Sequence, residues 1–241
     1  MNKTKIDWAD SSWNPVTGCN HDCEYCYARR IVNRFSKISG VRALIDLPTR
    51  IEKSPYPCGF APTFHRYRLS EPAKIKKPQT IFVCSMADLF GEWVPDEWIQ
   101  EVFAACERAP QHRYLFLTKN PRRYVDVIKY FPKAEIWLGS TVTTRDDEPL
   151  TRGIFWNTFV SVEPILGDVL HNCVDGNMPN WVIIGAETGK RKDKIIPKRE
   201  WVDNIVNACR AAKVPLFMKD SLRELMGDDF VQEYPWQEEA K

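Results

Sequence analysis

Short β-branched and aromatic runs recur along the chain at 81–84, 114–117, 136–138, 159–162, 181–184 and 214–218. Their length and nearly uniform apolarity predict buried strands. Between them the spacing becomes helical. Trp98, Val102, Ala105, Cys106 and Ala109 form one such set, Tyr124, Val127, Ile128 and Phe131 a second, and Trp201, Ile205, Ala208, Cys209 and Ala212 a third. Each follows the i, i+3, i+4 rhythm that gives a helix one apolar face. Start signals agree, with Pro95-Asp96 before the first set and Asn120-Pro121 before the second. A first strand is expected around 13–17. A helix is expected over 24–38, with Tyr27, Ile31, Phe35 and Ile38 on one face.

Strands that alternate with helices imply βαβ units and a parallel sheet. The expected fold is α/β, a partial or closed parallel β/α (TIM-like) barrel of about six to seven strands. The expected strands end in polar groups: Ser85 and Asp88, Thr118 and Lys119, Ser140 and Thr141, Glu163, Glu187, and Lys219 with Asp220. Active sites of β/α barrels gather at the carboxyl ends of the strands, so these groups are expected to converge on one mouth. The plainer account of each is a loop polar or a helix cap.

The stretch 39–79 breaks the alternation. It holds Pro48, Pro55, Pro57, Pro62, Pro72 and Pro78, which predicts an irregular insertion within a single domain spanning 1–241. It also interleaves Arg42, Arg50, Lys53, His65, Arg66, Arg68, Lys74, Lys76 and Lys77 with Tyr56, Phe60, Phe64 and Tyr67. Such a mixture can hold phosphates and stack bases. A solvated loop anchored by its aromatics is the plainer reading. No internal repeat is evident, and 237–241 is expected to fray.

Length and composition narrow the class. A chain of 241 residues, 44% of them hydrophobic, can bury one sizeable core. The formal net charge of +2 sets up no long-range field, so a polyanionic substrate would need a local basic patch. No apolar run of about 18 residues is present, and the amino terminus lacks the apolar stretch of a secretory signal. The expectation is a cytoplasmic protein with no membrane partner.

Eight cysteines in that compartment argue against a disulfide framework. Cys58, Cys84, Cys106, Cys173 and Cys209 are scattered and read as small buried hydrophobes. Cys19, Cys23 and Cys26 crowd into one loop just after the first expected strand. Thiolates are soft ligands that suit zinc, copper or iron-sulfur clusters. Three of them on a cubane leave one iron open to a reacting ligand, whereas a structural zinc site calls for four ligands. His21 stands only two residues from Cys19 and from Cys23, poor geometry for a fourth zinc ligand. A non-catalytic zinc module for nucleic acid and an iron-sulfur electron carrier are the competing classes.

The spacing C-x3-C-x2-C, with Tyr25 before the last cysteine, resembles the signature of the radical S-adenosylmethionine superfamily. The segments 8–15, 82–90, 161–164, 185–189 and 217–219 are similar to a phage- and plasmid-associated family of that superfamily with unassigned function. The similarity runs from about Lys5 to Lys219 and departs from the family pattern at 190–194, a basic loop here. The resemblance implies a 4Fe-4S cluster on Cys19, Cys23 and Cys26 whose open iron binds S-adenosylmethionine. An electron donor such as flavodoxin or ferredoxin would then drive cleavage to a 5′-deoxyadenosyl radical, which takes hydrogen from the substrate. Position by position, it implies Tyr25 beside the adenine and Ser85 to Asp88 at the methionyl amino group. Thr118, Lys119, Ser140 and Thr141 fall to the methionyl carboxylate or ribose hydroxyls. Glu163, Glu187 and Lys219 fall on the substrate side, for binding or proton transfer. A structural ion pair is the alternative for the acid and the lysine. The expected substrate is a nucleobase in phage DNA or RNA, with a peptide or small metabolite as alternatives. No second three-cysteine group is spaced to hold an auxiliary cluster.

Overall fold

The computed structural model describes residues 1–36, 38, 43–50, 56–151, 156–169 and 178–237. Arg42, Lys53, Pro55, Cys173 and the tail beyond 237 lie outside the described residues. The chain divides into two compact units, Met1–Ile136 and Trp137–Lys241. In chain order the first holds β1 (Asn2–Lys3), β2 (Ser11–Trp13), β3 (Val16–Thr17), α1 (Tyr27–Phe35), β4 (Ile45–Leu47), β5 (Thr63–His65), β6 (Thr80–Val83), α2 (Asp96–Glu107), β7 (Arg113–Thr118) and α3 (Arg123–Val127). Most of β8 (Glu135–Val142) belongs to the second, followed by β9 (Asn157–Val162), β10 (Trp181–Ile184), α4 (Arg199–Ala212), β11 (Leu216–Met218) and α5 (Arg223–Met226). In the first unit β2, β6 and β7 run parallel, with β1 antiparallel at the edge. In the second β8, β9, β10 and β11 are all parallel. With α2 and α4 in the crossovers, this is the partial parallel β/α barrel that the alternation predicts. Among the described residues no helix is long and apolar enough to cross a membrane.

The helical spacing of α2 converts directly into burial. Trp98, Val102, Ala105 and Cys106 all lie in the core, and Asp96 and Glu97 in the first turn complement the helix dipole. Their partners are an aromatic cluster in which Phe103 meets Phe116 at 5.3 Å and Phe90 meets Tyr124 at 4.5 Å. In α4 the buried stripe is Val202, Ile205, Ala208 and Cys209, while Ala212 is exposed. Ile128 departs from expectation in the same way, 40% exposed just after α3. Burying one such large apolar side chain is worth about 2 kcal/mol, so each stripe outweighs its flanking positions.

Three expectations are corrected. The strand at 13–17 breaks at Asn14-Pro15, so that β2 joins the parallel sheet while β3 enters a second sheet ordered β3-β5-β4. The stretch 39–79 is therefore not irregular throughout: it supplies β4 and β5, with 3-10 turns at Arg66–Arg68 and Pro72–Lys74. Strands of three residues are too short to show a period, and prolines beside them mask the signal. The helix at 24–38 is confined to α1 because Cys26 serves as its N-cap. Its buried stripe is Ala28 and Val32 packed on Met86, which leaves Tyr27, Phe35 and Ile38 at 44%, 64% and 45% exposure.

The basic and aromatic residues of this stretch are largely consumed by the fold. Phe64 is buried against Trp98 at 5.1 Å, and Arg66 donates to both Asp46 and Glu101. Arg68 donates to the Asn14 carbonyl at 2.9 Å and lies over Tyr67. Fully buried His65 bonds Thr17 Oγ1 at 2.8 Å, and burial together with the Arg68 charge pushes its pKa down to about 3. Lys74, Lys76 and Lys77 remain exposed.

In the second unit the two faces of the sheet differ. Val142, Val160, Val162, Val182, Ile184, Leu216 and Met218 pack on α4 through Val202, Ile205 and Cys209. The opposite face is aromatic: Trp181 stands 6.4 Å from Trp137, 5.9 Å from Phe159 and 6.1 Å from Phe217. Gly139 is required there, because a Cβ would lie 2.3 Å from the Phe159 ring. Trp181 Nε1 donates to the Glu233 carbonyl at 2.9 Å and ties down the C-terminal segment.

Candidate cluster loop and strand-end ion pairs

The cysteine loop begins where β3 ends. Gly18 makes the entry possible: its φ is +84°, and a Cβ would lie 2.2 Å from the Ala61 carbonyl oxygen. Its N–H donates to the Met86 carbonyl at 2.9 Å, which binds the loop to the turn after β6. Cys26 then caps α1, its Sγ accepting from the Arg29 N–H at 3.4 Å. Arg29 also pairs with Asp22 and reaches the Cys19 carbonyl at 3.5 Å.

All seven described cysteines are free thiols. Cys84, Cys106 and Cys209 are buried as expected, whereas Cys58 is half-buried. Cys19, Cys23 and Cys26 are half-buried as well. Burial, and after it the charges of Asp88, Cys26 and Cys23, pushes the Cys19 thiol up to about 12 against a lowering hydrogen bond from the loop backbone. Among the described residues no group of three or more His, Cys, Asp or Glu gathers closely enough to hold a metal ion as placed. In kind the donors fit an iron-sulfur cluster: three soft ligands on one loop, in electrostatic reach of one another.

Asp88 is the hub beneath this loop. Only 6% exposed, it accepts from His21 Nε2 at 2.8 Å, from the Lys119 N–H at 3.0 Å and from the Phe90 N–H at 3.0 Å. Three of roughly four acceptor sites on the carboxylate are thus used inside the protein. His21, between two candidate ligands, is held edge-on to Trp93 at 4.8 Å. Lys119 reaches back in the other direction, its Nζ 5.4 Å from the centre of the Tyr25 ring. The residues after β6 and β7 therefore grip the loop twice. Ser85 bonds the Asn14 side chain at 3.1 Å, and its carbonyl accepts from the Tyr27 hydroxyl. Thr118 is 2% exposed and its Oγ1 accepts from the Asn120 N–H at 2.9 Å, an ordinary cap.

In the second unit Ser140 is fully buried, its hydroxyl accepting from the Leu150 N–H at 2.6 Å, while Thr141 is half-buried. Glu163 and Lys219 form an ion pair with side chains 26% and 18% exposed. Glu187 is held bidentately by Arg191, with both contacts at 2.9 Å and its own side chain 2% exposed. That partner comes from the basic loop at 190–194. Sequence reasoning missed His21 as a partner of Asp88, because the two are 67 positions apart. It also missed Asn14 and Gly18; the Gly before the first cysteine was the available signal.

Solved structures of spore photoproduct lyase share this fold. One complexed with dinucleoside spore photoproduct aligns at a TM-score of 0.60 and 10% identity, covering 90% of this chain and 79% of that chain. A double mutant with bound AdoMet and dinucleoside spore photoproduct aligns at 0.58 and 10%, covering 89% and 78%. A single mutant aligns at 0.55 and 11%, covering 90% and 79%. At such identities the likeness is one of fold. No curated protein matches the sequence. A family model described as "Protein of unknown function (DUF5131)" matches residues 3–226.

Proposed function

The chain belongs to the DUF5131 family, whose description assigns no activity, and from its own residues we propose that it is a radical S-adenosylmethionine enzyme acting on a nucleobase. The observation that carries this reading is the cysteine loop. Three free thiols follow β3, enter through an obligatory glycine and end as the cap of α1. The fold shared with spore photoproduct lyase, a radical S-adenosylmethionine enzyme, supports it.

Cys19, Cys23 and Cys26 would hold a 4Fe-4S cluster, which when bound and reduced supplies the electron that cleaves S-adenosylmethionine to a 5′-deoxyadenosyl radical. A flavodoxin or ferredoxin in the cytoplasm would be the electron source. Asp88 fixes the loop through His21 and through the backbone after β7, a positioning role in place of the ligand role expected from its carboxylate. Tyr25 and Lys119 border the cofactor side, with Ser85 orienting the turn. Thr118 and Ser140 keep their hydroxyls for the fold. Glu163 and Lys219 present an acceptor and a donor to the substrate, and can hold or move a proton between them. Glu187 serves the substrate side through Arg191.

The test is anaerobic reconstitution with iron and sulfide, reduction with dithionite, addition of S-adenosylmethionine, and chromatography for 5′-deoxyadenosine. The wild type is expected to make it and Cys23→Ala is not. A protein that takes up one zinc and makes none overturns the reading.

A further inference from the structure

The second unit carries a row of groups that the fold leaves incomplete. Parallel register sets Thr141 beside Ser161, Ser161 beside Ile183 and Ile183 beside Phe217. Side chains alternate along a strand, so Ser161 shares the face of Phe159 and Glu163, opposite Val160 and Val162 on α4. Ser161 is 1% exposed, and its Oγ has no hydrogen-bond partner. A buried hydroxyl without a partner is rare and costly. Two residues further along the strands, on the same face, stand Glu163, Gly185 and Lys219. The lysine stem crosses Gly185, where a Cβ would lie 3.0 Å from Lys219 Cδ, and its ammonium meets the Glu163 carboxylate.

The chemistry of that row selects a ligand. An acceptor and a donor stand side by side with their charges cancelled. A phosphate or carboxylate would face Glu163, and a bare cation would face Lys219. A group that offers an N–H next to a C=O satisfies both at once, and a second carbonyl on the far side of the N–H suits the free Ser161 hydroxyl. We infer that Glu163, Lys219 and Ser161 recognise the imide edge of a uracil- or thymine-type base, with Glu163 accepting the imide N–H, Lys219 donating to one carbonyl and Ser161 donating to the other. This rests on the proposal that the substrate is a nucleobase and names its class.

Binding tests it without the radical reaction. Uridine and N3-methyluridine, in which the imide donor is blocked, are titrated against the full reconstituted chain by ligand-observed NMR, with inorganic phosphate as a third probe. Uridine is expected to bind about tenfold or more tightly than its N3-methyl form, the scale of one good bidentate contact to a base edge. Lys219→Met is expected to lose a similar factor, and phosphate is expected not to compete. Ser161→Ala is expected to weaken uridine severalfold while leaving the melting temperature of the free protein unchanged or higher, since it removes an unpartnered hydroxyl. Equal affinity for the two nucleosides, or a drop of several degrees in the melting temperature of Ser161→Ala, overturns the assignment. A chain that makes 5′-deoxyadenosine yet ignores uridine overturns it too and leaves the radical chemistry standing. Selective uridine binding without 5′-deoxyadenosine supports the assignment and removes the radical chemistry.

Discussion

Asp88 in the first unit and Glu163 in the second are carboxylates that follow a parallel strand, yet they are used in opposite ways. Asp88 is spent on the protein itself: one imidazole and two backbone N–H groups occupy it, and it is nearly closed to solvent. Glu163 meets a single flexible ammonium and keeps a quarter of its side chain exposed. A carboxylate bonded to backbone sets the shape of a loop, because those donors cannot leave without unfolding it. A carboxylate paired with one lysine can exchange that partner for a ligand of the same pattern. Glu187 lies between the two: its partner is a side chain, but the contact is bidentate and the acid is 2% exposed.

The largest expected effect probes how firmly the first unit fixes its loop. Gly18→Ala places a Cβ against the Ala61 carbonyl and forces a left-handed backbone on alanine. The cost should be on the order of 4 kcal/mol, with iron uptake lost, read from denaturant midpoints and iron per chain. Tolerance within about 1 kcal/mol would mean that the loop is not anchored. In the second unit Arg191→Met removes a bidentate contact from a buried carboxylate and should cost about 3 kcal/mol, most of it recovered in the double variant with Glu187→Gln. Lys219→Met should cost about 1 kcal/mol or less, because water can replace the ammonium at partly exposed Glu163. Equal losses for the two substitutions would erase the distinction between a structural pair and an exchangeable one.

The same contrast explains what the sequence made legible. The strands at 159–162 and 181–184 and the stripe Trp98, Val102, Ala105, Cys106 were readable because burial over several turns leaves a period. The three cysteines were readable because their chemistry is carried in local spacing. Neither signal reaches Asp88 and His21, 67 residues apart, whose meeting depends on the parallel order of β2, β6 and β7. The same holds for Ser161, an ordinary serine in sequence that becomes notable only when burial leaves its hydroxyl alone. The basic and aromatic residues of 39–79 suggested a nucleic-acid surface, but Arg66 and Arg68 found carboxylates and a backbone carbonyl instead.

Asp88→Asn falls between Arg191→Met and Lys219→Met. An amide keeps one acceptor for a backbone N–H but puts an NH2 against another donor, so about 2 kcal/mol should be lost. Iron per chain after reconstitution should fall with it, because His21 loses its anchor. His21→Gln, which can still donate to Asp88, should restore most of the loading that His21→Ala loses. If all three variants load iron as the wild type does, the hub serves the fold alone.

The last effect concerns the strand that leads into the loop. His65 is neutral in the folded chain, its pKa held near 3 by burial and by Arg68, while in the unfolded chain it returns to about 6.5. Below that value the unfolded state binds a proton that the folded state refuses, so stability is present above pH 6.5 and is lost as the pH falls toward the folded value. Between pH 6.5 and 5.5 the loss from this residue should be about 1 kcal/mol. His65→Gln isolates the contribution: it keeps a polar contact to Thr17 but cannot take up the proton. The difference between wild type and variant in denaturant midpoint, measured at both pH values, should change by that amount. Because Thr17 lies two residues before Cys19, an unchanged difference would mean that the buried imidazole does not hold β3 in place, and the anchoring of the loop would then rest on Gly18 and Asp88 alone.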